Sequence, residues 1–403
     1  MNDDIYWLWL QKVLGEGAFF KDLIEMFGSA KDIYNAGLSE LKMCPDISSK
    51  QLKRAETINI DDCTKTIYEC KVNDWKIISY DNPQYPEKLK NIYNPPCVLF
   101  VDGDLPDLDS LCSVAVVGTR KASSYAVRAT NMICQGVARA GAVTVSGGAL
   151  GVDSAAHTGS ILGGGKTVCV LGCGFGTNYL LSNEKLRQSI KSNGVLVTEY
   201  PPFTPPTRYT FPMRNRIISG LSDGVLVVEA GIKSGSLITA KYALEQGRDV
   251  FAVPSSIVSA EYSGANKLLT DGAMIVTQPI DLVSPYIEKY PYLNSENVPD
   301  IQQLLKNEKK KNANSSFDVN LKNEMSFENS DNEIEKGDER MKKISSLSKD
   351  LKDVYFNLTE NYEYIDIISE RCATPSNKVL SALSILEIQG LVSSASGKRY
   401  KKI

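Results

Sequence analysis

The chain has 403 residues, too many for one ordinary hydrophobic core, so two or three domains are expected. Hydrophobic residues make up 42% and charged residues 23%, the proportions of a soluble globular protein rather than a disordered or membrane-embedded one. A formal net charge of −3 excludes a protein that coats nucleic acid through bulk basicity, so any anion site must be a local patch whose field opposes the overall charge.

The start, Met1-Asn2-Asp3-Asp4, carries acids where a signal peptide carries bases, and no apolar run approaches a membrane span. A cytoplasmic chain with no membrane partner is expected. Nine dispersed cysteines fit reduced core packing: Cys169 and Cys173 are spaced wrongly for a redox pair, and no paired zinc knuckle is present. The single histidine, His157, leaves no room for a multi-histidine metal site, and a catalytic triad would have to use it. No metal and no cofactor are expected.

Residues 1–72 read as a domain of short helices. Within it, Gly15-Glu16-Gly17 forms either an ordinary helix–helix turn, the favoured reading, or a helix–hairpin–helix turn whose amides meet a phosphate. A second domain, residues 73–290, opens with a proline-stiffened connector over 73–110 in which Cys97–Val101 is an expected edge strand. From residue 114, short apolar strands alternate with helices: Val114–Val117, Ala142–Val145, Thr167–Leu171, Val195–Thr198, Gly224–Val228, Val250–Val253 and Met274–Val276, with helices including Ala126–Arg139, Ser182–Ser192 and Leu237–Gln246. Continuous apolar strands joined by helices predict an α/β fold, a parallel Rossmann-like sheet covered on both faces. Residues 291–345 are expected to be a disordered linker, since apolar periodicity disappears from 296 onward. Residues 346–403 end in a helix stopped by Gly390 and two short strands around Gly397, which suggests a winged helix.

In a parallel sheet, ligands sit beyond the carboxyl ends of the strands, near helix N-termini. The residues there are Gly118, Thr119 and Arg120 after the first strand, Ser146, Gly147 and Gly148 after the second, and Gly172 after the third. After the fourth come Arg208, Phe211, Arg214, Asn215 and Arg216, and after the fifth Lys233, Ser234, Gly235 and Ser236. Small residues allow close approach to main-chain amides, and several cations interleaved with aromatics suit a polyanionic single strand better than one phosphate. Each member also has a plainer reading: Arg214 and Arg216 as internal ion-pair partners, Phe211 as a core plug, His157 as a packed, hydrogen-bonded side chain, Asp153 and Glu229 as helix caps. Neither GxGxxG nor GxxxxGK[ST] is present, which disfavours a dinucleotide or Walker-type site.

The stretches VAVVGTR, SGGALGVDSAAH, VLGCG, TEYPP, FPMRNRIISGLSDGVLVVEA, SGSLITAKYALEQGRDVFAVP and GANKLLTDGA resemble, in order and spacing, the core of the DNA-processing protein A (DprA/Smf) family. The likeness implies an extended Rossmann fold flanked by a sterile-alpha-motif-like helical domain and a winged helix. It also implies a homodimer that binds and protects incoming single-stranded DNA and helps load the RecA recombinase in natural transformation, while the lack of a convincing acid–base pair among the residues themselves argues against an enzyme. The family's DNA-contact positions carry over onto Arg120 and the Arg208–Phe211 segment. Two departures stand out: the family's lysine after the third strand is missing from Tyr179-Leu180-Leu181-Ser182-Asn183, with Lys185 or Arg187 nearby, and Ser255 replaces a glycine after Val253-Pro254. The alternative functions are a nucleotide-processing enzyme of phosphoribohydrolase type using Glu229 or Asp153, and an assembly platform for which DNA is incidental.

Overall fold

A computed structural model describes residues 3–177, 183–258, 262–306, 349–359, 362–372, 374–388, 391–395 and 399–402. They fall into two compact units, Met1–Asn312 and Ala313–Ile403.

The first unit is organised by a nine-stranded sheet. Its strands are β1 (Lys76–Ser79), β2 (Val98–Gly103), β3 (Ser113–Val117), β4 (Val143–Ser146), β5 (Thr167–Val170), β6 (Gly194–Thr198), β7 (Gly224–Val227), β8 (Asp249–Ala252) and β9 (Met274–Ile275). Their spatial order is β1-β2-β6-β5-β4-β3-β7-β8-β9. The seven expected strands from β3 onward pair in parallel. The sheet as a whole is mixed, because β2 pairs antiparallel with both β6 and β1. Cys97–Val101 was expected as an edge; the strand there, Val98–Gly103, is internal, and the edge is β1, which lay hidden in the connector. Four residues beginning with an exposed lysine give too little pattern to announce a strand, and only pairing with β2 defines one.

The strands read as unbroken apolar runs because both faces are covered. Along β3, Ala115 and Val117 point into one hydrophobic cluster while Val114 and Val116 point into another. The covering helices are α7 (Ser124–Arg139), α8 (Val152–Leu162), α9 (Glu184–Asn193), α10 (Thr210–Gly220), α11 (Gly235–Glu245) and α12 (Ser263–Thr270), with a one-turn α6 (Glu87–Lys90) before β2. Ser123 caps α7, its Oγ accepting from the Ala126 amide at 3.1 Å.

Five helices precede the sheet: α1 (Asp4–Leu14), α2 (Lys21–Phe27), α3 (Ala30–Leu41), α4 (Ser49–Thr57) and α5 (Ile60–Val72). Helix α1 is buried on most of its circumference, with Trp7, Leu8, Trp9 and Leu10 at most 4% exposed. It packs in the same cluster as Cys97, Val98 and Phe100, so residue 72 marks a change of architecture and not a gap in packing. The Gly15–Gly17 turn packs against the rest of the first unit. Gly17 has φ +73°, its missing Cβ leaves room for the Met213 side chain, and its carbonyl accepts from Asn94 Nδ2 at 2.8 Å.

The start of the expected linker is folded: Val298 and Ile301 pack on the core and Leu304 is buried. Residues 307–345 of that linker lie outside the described residues. The second unit contains α13 (Lys349–Phe356), β10 (Glu363–Tyr364), α14 (Ile365–Arg371), α15 (Ser376–Ile388), β11 (Val392–Ala395) and β12 (Arg399–Lys402). Its three strands form an antiparallel sheet in the order β10-β12-β11. The expected final helix and two strands are there, while Gly390 and Gly397 themselves lie outside the described residues.

One buried carboxylate ties the first unit together. Asp223, just before β7, accepts from Lys88 Nζ of α6 at 2.6 Å, the Ser113 amide at 3.0 Å, Lys289 Nζ at 2.8 Å and the Tyr290 hydroxyl at 2.9 Å. Burial pushes its carboxyl up, but the two lysines and the amide outweigh that and hold it below the usual aspartate range. Asp223→Asn leaves the buried Lys88 ammonium uncompensated and should cost about 3–5 kcal/mol in urea unfolding. A lowered folded-state pKa stabilises above the unfolded value near about 3.9, so the gap between wild type and variant should narrow as pH falls below about 4. A gap under about 1 kcal/mol at neutral pH, or one that widens in acid, would contradict this role.

Candidate nucleic-acid interface

Strand β3 lies between β4 and β7. From it the chain winds through β4, β5 and β6 on one side and then crosses to β7, β8 and β9 on the other, so the connections leave β3 in opposite directions. A crevice beyond the carboxyl ends of the strands is the geometric result. A pocket of about 450 Å³ occupies it, and Gly118, Thr119, Arg120, Arg208, Phe211, Arg214, Asn215, Ser234, Gly235 and Ser236 all line it.

Each wall has a local cause. Gly118 to Arg120 leave the end of β3, and the Thr119 amide is anchored on the Glu229 carbonyl at 2.8 Å. Helix α10 presents Phe211, Arg214, Asn215 and Ile218 at helical spacing on one face. Helix α11 brings its N-terminus, where Ser234 Oγ accepts from the Ser236 amide at 3.4 Å. Asn215 Nδ2 donates to the Gly235 carbonyl at 3.2 Å and holds α10 and α11 together. The positive end of α11 thus faces the same space as three guanidinium groups.

The three arginines are held differently. Arg120 is exposed at the mouth, its guanidinium 5.0 Å from the centroid of the half-buried Phe211 ring. Arg208 is also exposed and lies 4.8 Å from the Tyr209 centroid, with Nη2 donating to the Tyr209 hydroxyl at 2.6 Å. Arg214 forms the floor. It is buried, donates to the Gly147 carbonyl at 2.8 Å and to the Val170 carbonyl, and lies beside Asp153. Burial raises the Asp153 carboxyl above its ordinary range, partly offset by Arg214.

The remaining expected site residues do not line the pocket. Arg216 is a correction: it is 1% exposed and paired bidentately with the equally buried Glu199 at 2.8 and 2.6 Å, and its Nε donates to the Asn94 carbonyl at 3.0 Å. Its donors are consumed inside the protein, and it points to the opposite side of α10 from Arg214. Ser146 is also corrected: fully buried, its Oγ donates to the Val116 carbonyl at 2.6 Å. Gly147, Gly148 and Gly172 serve the layer beneath the pocket. A Cβ on Gly147 would fall 2.6 Å from the Arg214 guanidinium and 2.7 Å from Asp153, so this glycine admits a protein side chain, not a ligand. The Gly148 carbonyl accepts from Asn183 Nδ2 at 3.1 Å, and Gly172 passes beside the Phe211 ring. Lys233 is exposed on the β7–α11 loop outside the lining.

Both carboxylate oxygens of Glu229 accept at 2.8 Å from the amide and hydroxyl of Ser123, the cap of α7. Asp153, read as a cap, accepts from the Ala149 amide at 3.3 Å and also lines the pocket, a placement the sequence reading missed. Ile218 and Thr239 were missed too, although each stands four residues after an identified member, Arg214 and Gly235. His157 is fully buried, its Nδ1 2.7 Å from Thr167 Oγ1, and burial with the nearby Arg214 pushes its pKa down to about 3. The stretch lacking the family lysine lies outside the described residues except for Asn183. Ser255 replaces the family glycine without strain: it has no positive φ, and Asn266 bonds its amide at 3.0 Å and its carbonyl at 2.9 Å.

This chain matches the family model described as DNA recombination-mediator protein A over residues 76–286. The chain belongs to that family. The DNA processing protein DprA of Bacillus subtilis (strain 168) is 43% identical over 212 residues, which is 53% of this chain and 71% of the relative. The X-ray structure of DprA from Streptococcus pneumoniae superposes with a TM-score of 0.58 at 34% identity, covering 70% of this chain and 97% of that one. A Helicobacter pylori DprA structure, described for its single-stranded DNA binding mode, aligns at 30% identity over 54% of this chain and 97% of that one, TM-score 0.49. The role of a family member is DNA processing as a recombination mediator.

Arg214 joins floor and scaffold. Arg214→Met leaves the buried Gly147 and Val170 carbonyls without their donor and removes the charge that offsets the burial of Asp153, and should cost about 1–3 kcal/mol or more. Adding Asp153→Asn should return part of that loss, because it removes the stranded charge. Chemical unfolding of both variants decides it, and a double variant weaker than the single one by the full Asp153→Asn cost would refute the electrostatic coupling.

Proposed function

We propose that the pocket grips single-stranded DNA without sequence preference and that the chain acts by binding rather than turnover. The observation that carries this reading is the meeting of Arg120, Arg208, Arg214 and the Phe211 ring in one crevice beside the α11 N-terminus. The cations suit phosphates, and an aromatic face between them suits an unstacked base of any identity. Turnover is disfavoured by the carboxylates at hand: Glu229 is committed to Ser123, and Asp153 has Arg214 and the Ala149 amide. His157 does not line the pocket.

The larger reading is a homodimeric recombination mediator that protects incoming single strands and hands them to the RecA recombinase in the cytoplasm. Family membership supports it. Among the described residues, no helix is long and apolar enough to cross a membrane. The N-terminal helices and the C-terminal unit are read as the sterile-alpha-motif-like and winged-helix modules. An assembly platform with incidental DNA binding is the second reading, and salt separates the two, since phosphate contacts release counterions.

A gel-shift series with the full chain, comparing single and double strands at two salt concentrations, tests the proposal. Single strands should bind tighter, and equal or tighter duplex binding would refute it. Arg120→Ala should weaken binding, leave thermal stability unchanged and lower the salt slope by about 1. Phe211→Ala should cost roughly 1–3 kcal/mol of affinity, with Phe211→Trp close to wild type. Because Arg120 rests on Phe211, the two alanine changes together should cost less than their sum. A Phe211→Ala chain that melts early yet binds normally would make the ring a core plug.

A further inference from the structure

The C-terminal unit carries an aromatic and basic surface of its own, on its sheet and not on its last helix. In the antiparallel register Tyr364 faces Arg399 and Glu363 faces Tyr400, while Ser393 faces Lys401 and Ser394 faces Tyr400. Alternation therefore splits the sheet into two faces. The inner face sends Tyr400 and Val392 into the hydrophobic cluster of the unit. The open face holds Tyr362, Tyr364, Ser393, Arg399 and Lys401, and the Tyr362 hydroxyl lies 3.1 Å from Ser393 Oγ. Tyr362 and Tyr364 are 42% and 54% exposed, although an aromatic ring left in water forfeits its packing value.

Each ring is matched with a cation on β12. Lys401 Nζ is 4.9 Å from the Tyr362 centroid, and Arg399 Cζ is 5.8 Å from that of Tyr364. The two pairs repeat along the strand at a two-residue interval. The only acid in the three strands, Glu363, belongs to the inner face and is bound by Arg371 at 2.7 and 3.0 Å. No carboxylate of these strands therefore cancels the field of the open face. Helix α15 has only Lys378 as a basic residue, which is poor equipment for gripping a duplex backbone.

We propose that the open face of this sheet is a second surface for single-stranded DNA, with Tyr362 and Tyr364 stacking bases and Arg399 and Lys401 meeting the flanking phosphates. Cations alternating with half-exposed rings on a sheet face complement a polyanion whose bases are unpaired. The choice of DNA rests on the proposed function, but the surface is separate from the pocket and is tested separately.

The probe is a labelled oligothymidylate, with the full chain as wild type, as Arg120→Ala/Phe211→Ala, as Tyr362→Ala/Tyr364→Ala, as the combination of those two double variants and as Lys401→Glu. Ultraviolet cross-linking with mass-spectrometric mapping should find DNA on Tyr362 or Tyr364 in wild type and in the pocket variant. In the pocket-variant background, losing both rings should weaken binding by roughly fivefold or more, the effect of one stacked base. Lys401→Glu keeps both rings and should weaken binding and its salt dependence, which guards against a misfolded double variant. If both face variants bind as wild type while the pocket variant does not, the second surface is refuted and the pocket stands. If the pocket variant binds as wild type and the face variants do not, the pocket reading fails and the face stands. Duplex competing as well as oligothymidylate for the cross-linked tyrosines would overturn stacking as the mode.

Discussion

The reversal of winding at β3 is the constraint on which the rest depends. A strand that sends its successors both ways across a sheet cannot have all its connections packed on one side, and the ends of β3, β4 and β7 are left open. Every wall of the pocket is an answer to that opening. The loop after β3 supplies a cation at the mouth, α11 supplies its N-terminus, and α10, arriving from the far side of the sheet, supplies a ring and a floor. The antiparallel β2 and β1 lie at the other end of the sheet, where they carry the N-terminal helices and leave the crevice alone.

Placing three guanidinium groups around one pocket in a chain of net charge −3 raises a problem of repulsion, and the structure handles each group by a different means. Arg214 is buried with carbonyls and beside a carboxylate. Arg120 and Arg208 each lie against an aromatic ring and keep their solvation. Arg216, two residues from Arg214, is turned away and neutralised by Glu199. Exposed guanidinium groups retain donors for a phosphate, whereas the buried one sets the shape they work in. Burial thus divides the arginines into those available to a ligand and those that hold the fold.

The second unit obeys the same logic with another element. A small antiparallel sheet needs only one face for its core, so the other face is open to carry function. Here that face holds tyrosines and cations, where polar residues without aromatic partners would serve solubility equally well.

Much of this was legible without coordinates. Parallel strands from 114 onward follow from apolar runs broken by helical spacing, since a strand covered on both faces has no polar alternation. The pocket loops follow from the rule that ligands sit beyond carboxyl ends, which named Gly118, Thr119, Arg120, Arg208, Phe211, Arg214, Asn215, Ser234, Gly235 and Ser236. Tertiary structure alone decided the remainder. Arg214 and Arg216 are both basic and both in the middle of α10, and a sequence cannot say which side of a helix meets Glu199 and which meets the crevice. Gly147 reads as a ligand cradle until Arg214 and Asp153 are seen filling the space. Strand β1 exists only through its pairing with β2. Local pattern determined the elements and the chemistry of their ends, while the direction of each side chain was settled by contacts between residues far apart in the chain.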